Sequence, residues 1–255
     1  MRRVVRRLPL LLMIAGLVLL AGHSDGAAIP LPRITIGASP ATGPQDVAVT
    51  LQILFLLTVL TLAPAILLLM TPFTRIVIVL SFLRQALGTQ QIPPNQVLVG
   101  LALFMTFFLM RPVGDQVYKQ GLNPYMKGQI GYEEALKRGM MPIRKFMFTQ
   151  TKERDLALFV YLAKTPRPRT PDDVPSLVLI PAFVISELRT AFTIGFMLFI
   201  PFLVIDIVVA STLMAMGMLM LPPVMISLPF KILLFILVDG WNLITTRLIA
   251  SFGPI

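Results

Sequence analysis

The chain has 255 residues, 56% of them hydrophobic, a mean hydropathy of +0.84 and a formal net charge of +10. Ordinary soluble domains hold about 45–50% apolar residues, so that class is excluded, and a chain without cysteine has no disulfide framework, thiolate metal site or cysteine nucleophile. The basic residues are dispersed and not gathered with aromatics on one face, which argues against nucleic acid as a partner.

The N-terminus has the layout of a secretory signal. Arg2, Arg3, Arg6 and Arg7 precede a short apolar core, Leu8 to Ala21, and Gly26-Ala27-Ala28 offers small residues for cleavage after Ala28. An uncleaved anchor is the alternative. The only histidine, His23, falls in this segment and receives no role as ligand or base. Residues 29–46, rich in Pro, Gly, Thr and Ser, read as an exported linker.

Residues 47–110 read as a helical hairpin. Val47 to Thr74 is a 28-residue stretch without a charge, long enough to span a bilayer core, which takes about 20 residues. Pro64 predicts a kink or break within it. Arg75 and Arg84 follow on a short apolar helix, Pro93-Pro94 ends it, Asn95 is a candidate cap, and Val97 to Met110 returns. If the signal leaves residue 29 outside, the two arginines sit at the inner turn, in keeping with the positive-inside tendency.

Residues 111–175 form the polar part, with twelve basic and seven acidic residues, expected to be a small helical domain on the outer, periplasmic side. Tyr132 to Arg138 and Ile143 to Gln150 read as two short amphipathic helices. Thr151 ahead of Glu153 and Asp155 suits an N-cap followed by first-turn acids, and Leu156, Phe159, Val160 and Ala163 line one face of a helix ending near Lys164. Pro166, Pro168, Pro171 and Pro175 mark an extended linker.

Residues 176–255 are C-terminal apolar helices, divided by Pro181, Pro201, Pro222-Pro223 and Pro229. Ala182, Ser186 and Thr190, like Ala191 and Gly195, recur every four residues, a spacing that lets helix backbones approach closely. Six charges interrupt the apolar run: Glu187, Arg189, Asp206, Lys231, Asp239 and Arg247. A charge facing lipid at mid-bilayer costs about 2.5–3.5 kcal/mol even on the lenient scale, so these groups must meet partners, water or other protein. Glu187, Arg189, Asp206, Lys231 and Asp239 are read as ion-pair residues that set register and assembly. Asp206 and Asp239 also admit an acid-pair reading, although their neighbours carry no hydrolase signature. There is no HExxH or P-loop motif, so no enzyme activity, metal or cofactor is expected. A solute transporter would show inverted repeats, and the two apolar regions share no motif. Finally, Met214, Met216, Met218 and Met220 alternate ahead of Pro222-Pro223. Two readings fit: a loop that presents several thioethers together, or flexible side chains filling gaps in a packed bundle.

Six strings carry a resemblance: PAILLLMTPFTRIVIVLSFLRQALGT at 64–89, PPNQVLVGLALFMTFFLM at 93–110, PAFVISELRTAFTIGF at 181–196, PFLVIDIVVAS at 201–211, GMLMLPP at 217–223 and LPFKILLFILVDGW at 228–241. In order and with few gaps, they are similar to the FliP family. The resemblance implies an all-α subunit of the flagellar type III protein export gate, in the inner membrane and flagellar basal body. It further implies a homo-oligomer (pentamer-like in the family) with FliQ, FliR and other flagellar export components as partners and unfolded flagellar proteins as cargo. The related alternative is an injectisome-type secretion gate subunit, but the signal and linker resemble the flagellar branch. The family's methionine-rich pore constriction corresponds to Met218, Leu219 and Met220, where leucine stands in the middle of what is usually a run of three methionines.

Overall fold

A chain this apolar gains most by satisfying its backbone N–H and C=O groups within each segment, which only a helix does. The computed structural model describes residues 44–89, 91–164, 168, 170–218 and 221–253. Among them every regular element is helical and no strand occurs. The expected signal, residues 1–28, lies outside the described residues, as does the expected linker up to residue 43.

The chain divides into two units, Met1–Gln52 and Ile53–Ile255. The first contributes the start of helix α1, Pro44–Leu69, whose side chains from Ile53 to Leu62 are exposed where described. The second unit continues with α2 (Phe73–Ala86), α3 (Asn95–Val117), a π-helical turn (Tyr118–Leu122), α4 (Asn123–Met126), α5 (Tyr132–Gln150), α6 (Glu153–Leu162), α7 (Ser176–Ala215), α8 (Pro223–Leu237) and α9 (Gly240–Ala250). Two continuous helical stretches, Asn95–Met126 and Ser176–Ala215, are long and apolar enough to cross a membrane, and α8 with α9, bent by 66°, is a third such stretch if the pair is one span.

The prolines behave in two distinct ways. Pro72, Pro94, Pro175 and Pro222 occupy the position just before a helix and mark its start. Pro64, Pro112, Pro142, Pro181, Pro201 and Pro229 lie inside helices that run on through them. The expected divisions at Pro181, Pro201 and Pro229 are therefore absent, the two short helices of 132–150 are one, and α3 continues past residue 110. A proline costs a helix one hydrogen bond and a clash, about 3 kcal/mol. In an apolar setting a full break would strand several backbone groups without water, so continuing is the cheaper course. Two expected caps are also absent. Pro94, not Asn95, precedes α3, and the Thr151 hydroxyl donates back to the Met147 carbonyl at 2.7 Å instead of capping α6, which Lys152 precedes.

The core gathers Ile76, Val79 and Leu80 of α2, Leu98, Ala102 and Met105 of α3, Phe146 and Met147 of α5, Leu179 and Phe183 of α7, and Phe252 beyond α9. Each such apolar side chain contributes about 1.5–3 kcal/mol on burial. The small residues of α7 face this packing: Ala182, Ser186, Ala191 and Gly195 are all buried. A Cβ on Gly195 would stand 2.5 Å from the Phe82 ring, which meets Phe192 edge to face at 5.2 Å.

Backbone comes close to backbone between the π turn and α5. A Cβ at Gly121 would fall 2.8 Å from the Ala135 carbonyl oxygen and 3.0 Å from the Gly139 Cα, and backbone cannot yield as a side-chain tip can. Gly121→Ala is expected to lower stability by about 1–3 kcal/mol through overpacking. Gly139→Ala, whose new methyl meets only Val117 Cγ1 at 3.7 Å, serves as the tolerated control. Thermal unfolding of the two purified variants distinguishes them, and equal midpoints would refute the close contact.

Candidate functional site

Charges buried among apolar helices need partners within hydrogen-bond reach, and three clusters supply them. The deepest centres on Arg75 at the start of α2, 2% exposed, against Glu187 of α7, 0% exposed. Arg75 Nε donates to Glu187 Oε2 at 2.8 Å and Nη2 to Glu187 Oε1. Nη1 donates to the Ser251 carbonyl at 3.0 Å and its hydroxyl at 3.1 Å, and Nη2 also donates to Gln150 Oε1 at 3.0 Å. All five guanidinium N–H groups are thereby engaged. The guanidinium lies 3.9 Å from the centre of the Phe252 ring, and Gln150 Nε2 donates to the Phe252 carbonyl at 2.8 Å. One arginine thus joins α2, α5, α7 and the turn after α9.

On either side of Glu187 in α7, Arg189 Nη2 donates to Asp155 Oδ1 at 2.7 Å, and the Ser186 hydroxyl to Asp155 Oδ2 at 2.8 Å. The Lys152 backbone N–H donates to the Ser186 oxygen at 2.9 Å. Asp155 is 1% exposed, so this first-turn acid of α6 is a buried tie to α7.

The third cluster joins α7 to α8. Lys231 Nζ donates to Asp206 Oδ2 at 2.6 Å and the Ser227 hydroxyl to Asp206 Oδ1 at 2.5 Å. Gly88, left-handed at φ +74°, lets the turn after α2 lie over this pair: a Cβ there would be 3.8 Å from Lys231 Nζ and 3.7 Å from Leu228 Cδ1. Leu83, Ala86, Leu87, Phe202, Phe235 and Ile244 form the apolar cluster beside it.

Asp206 and Lys231 bracket the methionine turn. α7 closes with paired hydrogen bonds, Met218 N–H to the Leu213 carbonyl and Gly217 N–H to the Met214 carbonyl, each 3.0 Å, around Gly217 at φ +76°. This is the glycine-dependent helix ending, and it leaves Met214, Met216 and Met218 exposed. Leu219 and Met220 lie outside the described residues. Pro222 and Pro223 then start α8.

Of the five charges named from sequence, Glu187, Arg189, Asp206 and Lys231 are ion-paired within this chain. Asp239 is not, nor is Arg247, among the described residues. Asp239 adopts a left-handed conformation (φ +49°) at the corner between α8 and α9 and accepts a hydrogen bond from Asn242 Nδ2 at 3.1 Å. Its charge suits the first turn of α9. Asp206 and Asp239 share no partner, so the acid-pair reading has no geometry behind it. Arg75 and Asp155, the partners of Glu187 and Arg189, which the sequence offers only as a hairpin charge and a first-turn acid, are ion-pair residues as well. The signal for Arg75 was present: it is the first charge after a long uncharged run and so needed a counterion of its own. No group of three or more His, Asp or Glu side chains placed to hold a metal occurs among the described residues.

A family model described as the FliP family matches residues 56–248. The flagellar biosynthetic protein FliP of Bacillus subtilis (strain 168) is 58% identical over 212 residues, covering 83% of this chain and 96% of that protein. The protein of the same name from Pectobacterium carotovorum subsp. carotovorum is 57% identical over 222 residues, 87% and 86% of the two chains. That of Cereibacter sphaeroides is 53% identical over 217 residues, 85% and 72%.

Proposed function

This chain belongs to the FliP family, and from that premise we propose that it is a core subunit of a flagellar type III export gate in the cell membrane, where it passes unfolded flagellar proteins as the flagellum is built. Several copies join FliQ and FliR around a central passage, which Met218, Leu219 and Met220 close. The subunit works through shape, apolar sealing and charge pairing, and catalyses no reaction.

The extent of the match is what supports this reading. Residues 56–248 take in Asp206 and Lys231, the methionine turn between them, and the Arg75–Glu187 pair. The exposed apolar surface agrees with it. Phe104, Phe107 and Phe108 of α3 and Phe192 and Phe196 of α7 are all more than half exposed, and surface of that kind marks contact with protein or membrane. Thioethers suit such a closure because Met is flexible and conforms to irregular, changing surfaces.

Replacing Met218, Leu219 and Met220 together by Ala tests the closure. Removing three large side chains is expected to raise the ion leak of membranes carrying the complex several-fold, measured as conductance or as dissipation of an imposed potassium gradient. Conductance equal to that of the parent protein would rule out this turn as the seal.

A further inference from the structure

The gate reading asks for apolar bulk at the α7–α8 turn, but leucine would supply that as well as methionine. The chain instead gathers sulfur there. Met214, Met216 and Met225 are 57%, 56% and 67% exposed, whereas Met70, Met105 and Met147 in the core are 3%, 5% and 0% exposed. Met216 also lines an apolar groove between α7 and α8, together with Val208, Thr212, Ile226 and Phe230. From residue 207 to residue 230 there is no charge, histidine, tyrosine or tryptophan, and the whole chain lacks cysteine. The flanking charges, Asp206 and Lys231, are bonded to each other. Thioether sulfur is therefore the one readily oxidised group at this surface, and no thiol elsewhere in the chain competes for the oxidant.

We propose that Met214, Met216 and Met225 form an oxidation-sensitive modification site whose substrate is a peroxide-class oxidant. The sulfur lone pair attacks a peroxide oxygen. The S–O bond forms as the O–O bond breaks, sulfur loses two electrons, and the peroxide is reduced to water or an alcohol. Each flexible apolar side chain becomes a polar, chiral sulfoxide that methionine sulfoxide reductases can restore. In the groove beside Met216 the one hydroxyl, that of Thr212, already donates to the Val208 carbonyl at 2.8 Å, so the new oxygen there recruits water. A surface that stays closed by being dry is thereby wetted and loosened. The modification stands on exposure and chemistry alone, whereas its effect on leak rests on the proposed gate.

The test treats membranes containing the full chain and its natural partners with graded hydrogen peroxide, reading site occupancy by peptide mass spectrometry and ion leak in parallel. Met214, Met216 and Met225 are expected to gain one oxygen each several-fold faster than Met70, Met105 and Met147. Leak should rise several-fold and fall again after incubation with both stereospecific sulfoxide reductases. The Met214→Leu, Met216→Leu, Met225→Leu variant, which keeps Met218 and Met220, should be as tight as the parent before peroxide and show a several-fold smaller rise after it. Oxidation no faster than in the core would overturn the site, and an undiminished rise in the leucine variant would overturn its link to closure. If alanine at 218–220 opens the membrane but peroxide does not, the gate stands and this inference falls. If neither opens it, the gate reading fails, and occupancy alone decides the modification.

Discussion

Glu187→Ala is expected to cost about 3–5 kcal/mol, the toll for stranding one member of a buried ion pair. That is a large share of the roughly 5–15 kcal/mol by which a domain is stable. Arg75 would keep its bonds to Ser251 and Gln150 but lose both carboxylate contacts in a place only 2% exposed. Arg75→Ala should be as severe by another route, since it also releases Gln150, Ser251 and the Phe252 ring and so frees the turn after α9 from α2 and α5. The double replacement Arg75→Met, Glu187→Leu removes both charges and keeps apolar volume. Such exchanges are often neutral or better, so it should recover much of the loss. The thermal midpoint of the detergent-purified chain and its steady-state abundance in membranes report both effects. A Glu187→Ala protein with the parent's midpoint, or a double variant no better than either single, would show that the pair does not hold these segments.

The same pair shows how far the residues alone could carry the reading. Glu187, Arg189, Asp206 and Lys231 were identifiable because an ionised group in an apolar helix must be neutralised, and that constraint is local. Which group does the neutralising is a matter of topology. Arg75 and Glu187 are 112 positions apart, and no spacing rule links them. Asp206 and Lys231 were easier, since only 25 positions separate them. Asp239 differs: among the described residues it has no ion-pair partner within the chain and stands at a left-handed corner. The helical class was legible from apolar runs without strand-like alternation. The proline boundaries were not, because Pro222 and Pro201 differ only in what surrounds them. Pro222 follows a glycine-closed helix end, while Pro201 sits where α7 has apolar side chains on every side and no turn residue to end it.

Lys231→Glu is expected to abolish formation of the assembled complex. The Lys231 side chain is 4% exposed and Asp206 27% exposed, and reversal would set two carboxylates where one ion pair stood. Like charges about 4 Å apart repel by about 4 kcal/mol at an effective dielectric of 20, and the attraction of the lost pair is forfeited as well. The repulsion acts between α7 and α8 on either side of the methionine turn, so it should splay the hairpin that presents Met218. Ser227, buried and donating to Asp206, would be pushed apart from its acceptor too. Because Lys231 already has its counterion inside the chain, its influence on assembly is indirect: it fixes the angle at which the turn is offered to other subunits. That distinguishes three variants. Lys231→Met should assemble weakly, since it leaves one partly exposed carboxylate hydrogen-bonded to Ser227. Lys231→Glu should not assemble at all. Lys231→Glu combined with Asp206→Lys should regain a measurable fraction, because opposite charges face each other again across the same gap. Native gel mobility of the complex extracted with its partners reads all three. A Lys231→Glu complex of normal size would separate this clasp from assembly, and failure of the exchanged pair to improve on the single reversal would show that position 231 needs lysine for a contact other than Asp206.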